Sequence, residues 1–244
     1  MAVKSFKLTI QYDGTDFFGW QVQLEERTVQ GELTRVLSRI MKADVKVTGA
    51  GRTDAGVHAI GQAASFSAET AMEPDEIVRA ANSLLPPDAM VSAAEGVAAG
   101  FDARRDAVAR TYLYRLAFTW DVFNRRFVHV VERDIDAGAM AVAAGALVGE
   151  HDFASFGNAS EDFPDTVRLV SDVTVAPSAG GIDLLIRANA FLYRMARNMV
   201  GALVAVGRGE MTAEDVKRIL EAKDRTILGP PAPPQGLYLE KVDY

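Results

Sequence analysis

The chain contains no cysteine. That excludes disulfides, a thiolate nucleophile and zinc held by sulfur. Histidine is scarce: His58, His129 and His151 are the only three, and no two are close enough to make a paired-histidine metal motif. No apolar run approaches ~18 residues, so no segment reads as a transmembrane helix. The opening MAVKSFKLTIQYDG alternates polar and apolar residues and has no apolar core of signal-peptide length. A surplus of positive charge is also missing. With 26 Lys+Arg against 33 Asp+Glu the formal net charge is −7, which counts mildly against a nucleic-acid partner. What remains is a globular composition, 49% hydrophobic and 24% charged over 244 residues, enough for one or two domains with real cores. A cytosolic enzyme or binding protein is the expectation.

Periodicity supplies the elements. Residues 3–12 place Phe6, Leu8, Ile10 and Tyr12 on one face and Lys7, Thr9 and Gln11 on the other, a half-buried strand ended by the turn pair Asp13-Gly14. Val29, Leu33, Val36, Leu37, Ile40 and Met41 recur at helical spacing behind Thr28 as N-cap. Strands are expected near 44–49 and 61–67. A helix follows from Pro74 through Ile77, Ala80, Ala81 and Leu84, then a strand near 89–95. The second half reads in nearly the same order. Strand 109–118 is followed by a helix near 136–148 and by strands 167–176 and 182–189 around a Gly180-Gly181 turn. A helix at 192–206, a helix capped by Thr212, and a last strand at 236–242 complete it. The fold class expected is therefore α+β, two similar ferredoxin-like (β-α-β-β-α-β) halves, with an extra helix in the second. The halves divide as 1–104 and 105–244, joined through 97–108, and the Pro-rich stretch 229–235 is expected as a rigid surface loop.

Four stretches carry chemistry-bearing residues. Gly49-Ala50-Gly51-Arg52-Thr53-Asp54-Ala55-Gly56-Val57-His58 sets Arg52, Asp54 and His58 in a glycine-rich loop after a strand. Its glycines fit neither the dinucleotide nor the P-loop spacing, and turn composition explains them as well as a site does. His58 alone reads as structural. The second stretch runs from Phe101 to Arg115. Tyr112 and Tyr114 share a strand face amid Arg104, Arg105, Arg110 and Arg115, an interleaving suited to stacked bases and phosphates. Each tyrosine taken alone is better read as core. The third, Asn189–Gly201, sets Arg194 and Arg197 one turn apart on an apolar helix, where either pairs a carboxylate or faces solvent. The fourth, Gly236-Leu237-Tyr238-Leu239, reads first as a core strand.

Taken in order, these pieces resemble one family. GRTDAGVHAIGQ at 51–62, YDGTDFFGWQ at 12–21, TVQGELTRVL at 28–37, ARTYLYR at 109–115, MARNMVG at 195–201 and GLYL at 236–239 are similar, end to end, to the tRNA pseudouridine synthase A family. The resemblance implies a cofactor-free, metal-free homodimer with two α+β halves whose antiparallel sheets join across a central basic cleft. It implies an isomerase acting on uridines of the tRNA anticodon stem-loop, positions 38–40. By position, Asp54 matches the family's essential aspartate and Arg52 the arginine that fills the gap left by a flipped base. Tyr112 matches the tyrosine that stacks on the target uracil, Arg197 the basic partner of the aspartate, and Leu237 the apolar residue beneath the site. Arg104 and Arg110 become candidate RNA contacts. Asp102 departs from the pattern, which often has histidine there.

The chemistry suits such a site. Conversion of uridine to pseudouridine breaks N1–C1′ and forms C5–C1′, with nothing oxidised and nothing released. The target must leave its stack, at a few kcal/mol, and stacking on Tyr112 returns about 1–3 kcal/mol. An aspartate can attack C1′, take the 2′ proton to give a glycal, or attack C6 of the uracil, and the residues do not choose among the three. Two other readings use the same residues: a catalytically silent RNA-binding module of this fold, and a small-molecule hydrolase built on Asp54 and His58.

Overall fold

The computed structural model describes residues 2–159 and 165–244. The chain is mixed α+β with mostly antiparallel strands, and it forms two compact units. Unit 1 is Met1–Val108 together with Tyr238–Tyr244, and unit 2 is Ala109–Leu237.

Unit 1 begins with β1 (Val3–Tyr12), whose alternation is realised: Phe6, Leu8, Ile10 and Tyr12 are all buried. Helix α1 (Val29–Met41) starts where the Thr28 side chain accepts the Gly31 N–H, and it buries Val29, Leu33, Val36 and Leu37. Full burial of each such side chain is worth roughly 1.5–3 kcal/mol. Strand β2 is only Thr48–Gly49, shorter than the 44–49 expected. The chain before it is tied to α1 instead, the Val45 N–H donating to Ser38 Oγ and the Val47 carbonyl accepting from Gln30 Nε2. Strand β3 (His58–Glu69) runs antiparallel to β1 with Phe6 opposite Phe66, their rings stacked at 5.2 Å. Helix α2 (Pro74–Asn82) begins with a Glu73/Glu76 capping box and stops short of Leu84. Strand β4 (Ala89–Val97) lies on the other side of β1, and β10 (Leu237–Asp243) pairs parallel to β3. The order is thus β4-β1-β3-β10, with β2 also on β3.

Unit 2 has the order β5-β9-β8-β7, all antiparallel, from β5 (Ala109–Ala117), β9 (Gly181–Ala188), β8 (Val167–Ser178) and β7 (Gly149–Asp152). A two-residue β6 (His129–Val130) pairs parallel to β5. Neither β6 nor β7 is visible as periodicity, because a strand of two to four residues completes too few repeats. Helix α3 (Ala137–Ala144) is capped by Asp136 and tightens into a single 3-10 turn, Gly145–Leu147. Helix α4 (Met195–Gly207) is buried over most of its length, and Arg194 before it is left-handed (φ 61°), so the helix starts three residues later than its apolar pattern suggests. Helix α5 (Ala213–Ala222) starts at a Thr212/Asp215 capping box. The Pro-rich stretch is not wholly surface: Ala232 is buried. No helix among the described residues is long and apolar enough to cross a membrane.

Candidate active site

In unit 1 the chain leaves β2, makes a loop over residues 50–57, and re-enters the sheet at β3. The loop's backbone is fixed at almost every step. Ala50 N–H donates to the Ala63 carbonyl, Gln62 Nε2 to the Gly51 carbonyl, and Trp20 N–H to the Thr53 carbonyl. The buried Thr53 hydroxyl bonds the Tyr12 hydroxyl at 2.8 Å. Burial pushes the Tyr12 phenol up to about 12, against the opposing hydrogen bonds of Thr53 and Gln62, so it stays neutral at physiological pH. A turn closed by Val57 N–H on the Asp54 carbonyl, with Gly56 at φ 78°, completes the loop. Asp54 is half-buried between two buried neighbours on that turn, Thr53 and Val57. The backbone that carries it cannot easily relax.

Close packing supplies the rest of that rigidity. A Cβ on Gly14 would come within 2.0 Å of the Val57 carbonyl oxygen, and one on Gly49 within 2.3 Å of the Trp20 indole. Gly19, at φ 82°, approaches the Thr53 carbonyl just as tightly, so a side chain there is both crowded and strained. Trp20 and Gly14 belong to YDGTDFFGWQ, so this motif is the wall against which the Asp54 loop is built.

His58 is 1% exposed. Its Nδ1 accepts the Gly14 N–H at 3.0 Å, and its ring stacks on Tyr238 at 4.8 Å. It ties the end of β1 to the start of β3, the structural role expected of it, and is not presented to a small substrate. The hydrolase reading loses its histidine. Arg52 is exposed and donates through Nε to Gln21 Oε1. Asp102 accepts the backbone N–H groups of both Arg104 and Arg105 at 2.8 and 3.0 Å. Here it caps a turn, which accounts for an aspartate at that position.

In unit 2, β5 places Tyr112 opposite Ile186, 7% exposed, with its ring edge-on to Phe191 at 4.8 Å. Arg110 on the same strand is buried and donates through Nη1 to the Asn189 carbonyl. Residues 189–191 therefore gather both side chains. Arg197 on α4 is half-buried and donates through Nε to the Ala232 carbonyl at 2.8 Å, while Ala232 N–H returns a bond to the Arg197 carbonyl. Leu237 is buried at the start of β10. Arg194 is exposed beside the Tyr193 ring. Tyr114 differs from Tyr112. It is fully buried and its hydroxyl donates to the Pro233 carbonyl at 2.9 Å, which is the core reading. Among the described residues no group of three His, Asp or Glu side chains is placed to hold a metal ion.

Sequence reasoning missed the Tyr12–Thr53 pair and the Arg197–Ala232 bonds. The burial pattern of β1 signalled that Tyr12 points inward, but not that it meets a loop forty residues away.

With this geometry in hand, comparison with known proteins is decisive. A family model described as tRNA pseudouridine synthase matches residues 8–104 and 143–244. The chain belongs to the tRNA pseudouridine synthase family. It is accordingly an isomerase that converts uridine in tRNA to pseudouridine. The chain is 41% identical to a tRNA pseudouridine synthase A of Exiguobacterium sibiricum, over 99% of this chain and 97% of that one. It is 42% identical to one of Parvibaculum lavamentivorans, over 98% of each. A third, from a Geobacillus species, is 41% identical over 99% and 98%.

Proposed function

We propose that this synthase acts on uridines of the tRNA anticodon stem-loop, positions 38–40, with Asp54 as the catalytic carboxylate. The observation that carries the assignment is the presentation of Asp54 on a loop pinned on both sides by buried groups, Thr53 bonded to Tyr12 and Val57 packed on Gly14. A carboxylate held this way is preorganised for attack or proton removal without losing its access to substrate. Tyr112 stacks on the flipped uracil, its ring already fixed edge-on by Phe191. Arg197 is the basic partner of the carboxylate, Leu237 packs beneath the base, Arg52 fills the space the base leaves, and Arg104 and Arg110 contact the RNA. Residues 1–104 bring the catalytic loop and 105–244 the remaining groups. The glycosidic N1–C1′ bond breaks, the uracil turns, C5–C1′ forms, and the C5 proton is lost as N1 gains one, so no cofactor is consumed.

Two ferredoxin-like halves suit this reading. The β-α-β-β-α-β run of unit 1 and its order β4-β1-β3-β2 support it. A cytoplasmic homodimer, one subunit orienting tRNA for the other's site, follows from the resemblance.

The test is Asp54→Asn, nearly the same shape without a carboxylate. Single-turnover pseudouridine formation on an unmodified tRNA transcript is expected to fall below detection. Affinity in filter binding stays within about tenfold, roughly 1.4 kcal/mol. Activity within tenfold of wild type would remove Asp54 from the mechanism. Joint loss of folding and binding would make it a turn residue only.

A further inference from the structure

The segment from Gly229 to Gly236 is almost devoid of regular structure, yet it is fastened along its length within unit 2. Its approach is held by Arg225, which donates through Nη1 to the Leu228 carbonyl and through Nη2 to Asn198 Oδ1 on α4. Asn198 itself is buried and donates to the Phe156 carbonyl. One helical turn along α4, Gly201 lets the Pro230 carbonyl come so near that a Cβ would meet it at 2.7 Å. Ala232 exchanges two bonds with Arg197, one to its backbone and one to its guanidinium. Pro233 receives the Tyr114 hydroxyl, and Gly236 lies so close under the Tyr114 ring that a Cβ would sit 2.7 Å from Cζ.

Four prolines at 230, 231, 233 and 234 explain the pattern. They have no N–H to offer a ladder, so at those four positions the strap can be held only through its carbonyls and through close contact. Two of those carbonyls, at consecutive residues 232 and 233, are taken by Arg197 and Tyr114. The rigid φ of the intervening proline makes them one unit. A shift of the Pro233 carbonyl carries the Ala232 carbonyl with it, and with that the acceptor of the Arg197 Nε–H.

We propose that Tyr114 is a positioning residue for the reaction: by donating to the Pro233 carbonyl it sets the strap whose Ala232 carbonyl orients the Arg197 guanidinium. The inference rests on the catalytic assignment of Arg197 above. Tyr114 is fully buried and does not reach RNA, so it acts through Arg197 alone. A guanidinium is a planar fork, and its use against a carboxylate depends on orientation in a way that an ammonium's does not.

The experiment is single-turnover pseudouridine formation by Tyr114→Phe, measured beside tRNA affinity and thermal unfolding, at a temperature well below both unfolding midpoints. The rate is expected to fall about 10- to 100-fold, the range a misplaced reacting group costs, with tRNA Kd within twofold. Gly236→Ala, which presses on the same ring from the strap side, is expected to show the same split between rate and affinity. It also stands in for the phenylalanine variant should that one fail to fold. In an Arg197→Lys background, where the fork is gone, Tyr114→Phe is expected to add less than threefold. An unchanged rate in both single variants, a rate loss matched by an equal affinity loss, or an undiminished effect in the lysine background would each overturn the proposal. The parallel Asp54→Asn assay separates the two ideas. Activity in that variant removes the catalytic reading itself, whereas an inactive Asp54→Asn beside a fully active Tyr114→Phe removes only the positioning role.

Discussion

The Asp54 loop of unit 1 and the proline strap of unit 2 do the same job by opposite means. Each is an irregular segment that fixes a charged side chain proposed to act in the reaction. Each is backed by a histidine–tyrosine ring pair: His58 stacked on Tyr238 at 4.8 Å behind the loop, His129 edge-on to Tyr114 at 6.0 Å behind the strap. Beyond its hydrogen bonds, the loop is made rigid by the absence of side chains where other backbone meets it. Glycines at 14, 19 and 49 let backbone and indole approach to distances no Cβ permits. The strap is made rigid by side chains reaching to it, because its own prolines offer no donors. Steric fixation resists change until it breaks. Hydrogen-bonded fixation can be loosened by one atom while the fold stands.

The largest effect expected from this contrast is at Gly14. In Gly14→Ala the new methyl meets the Val57 backbone, which has no flexible end to give way. Overpacking against backbone is expected to cost about 3 kcal/mol, lowering the unfolding midpoint by roughly 6–12 °C, and to take pseudouridine formation with it. Calorimetry and the single-turnover assay on one preparation check this. A stable Gly14→Ala protein with full activity would show that the loop is not sterically fixed and would erase the distinction from the strap.

The same contrast explains what was legible in the sequence. The loop could be read because its glycine-rich composition is local and because it belongs to a motif long enough to resemble a family. Strand β1, the α1 stripe behind Thr28, the Thr212 cap and the hairpin at Gly180-Gly181 could be read for a similar reason: each is a local pattern with a local cause. The strap could not. Nothing within residues 229–236 names Tyr114, Arg197 or Asn198 as partners, and Pro-rich composition points to a surface loop, whereas Ala232 and Gly236 are buried. Tyr114 looked like core beside Tyr112, and by burial it is. Its hydroxyl's partner is more than a hundred residues away and leaves no trace in spacing. The 44–49 strand shortened for the same kind of reason, because Ser38 and Gln30 took over backbone groups that a ladder would have used.

A smaller effect is expected at Arg27, which braces the segment carrying Gly14 and Trp20. Its guanidinium makes a two-pronged bond to Asp88, 2.7 Å in each arm, and lies 4.1 Å over the Phe17 ring. Asp88 in turn accepts the Asp13 N–H through its backbone carbonyl. The hydrogen bond from Arg27, more than its bare charge, holds the Asp88 carboxyl below the usual range, against burial. Both side chains are partly exposed, so solvent screens part of the gain. Arg27→Ala is expected to lose about 1–2 kcal/mol and Arg27→Lys most of that, since the fork is lost. The sign follows from the lowered folded pKa. The stabilisation is complete above the ordinary aspartate value of about 3.9 and is lost as pH falls through the folded one. Urea midpoints at pH 7 and pH 3 should therefore converge between wild type and Arg27→Ala at the acid end. Parallel curves at both values would mean that the pair contributes nothing.

The smallest effect separates the two histidines. His58 has its Nδ1 bonded to the Gly14 N–H, whereas His129 Nδ1 is buried with no hydrogen-bond partner among the described residues. His129 lies half-buried at β6, edge-on to Tyr114, with Arg208 and Glu132 nearby and bonded to each other. Burial, reinforced by the Arg208 charge and opposed by Glu132, pushes its pKa below the ordinary histidine value. In the folded protein the ring therefore resists a proton that the unfolded chain accepts. Between the lowered folded value and the unfolded one near 6.5, the unfolded state binds more protons, so stability rises with pH across that window and flattens above it. One proton limits the slope to about 1.4 kcal/mol per pH unit, and partial exposure keeps it well under that limit. His129→Phe keeps an aromatic ring against Tyr114 and cannot titrate. Urea midpoints for this variant are expected to lack the rise expected of wild type between pH 5 and 7, while carboxylates, titrating near pH 4, leave both curves alike there. Identical slopes in the two proteins would place the titration elsewhere and would make the two ring pairs equivalent. A slope that vanishes with His129 would show that the unit holding the strap, unlike the loop, responds to protons at near-neutral pH.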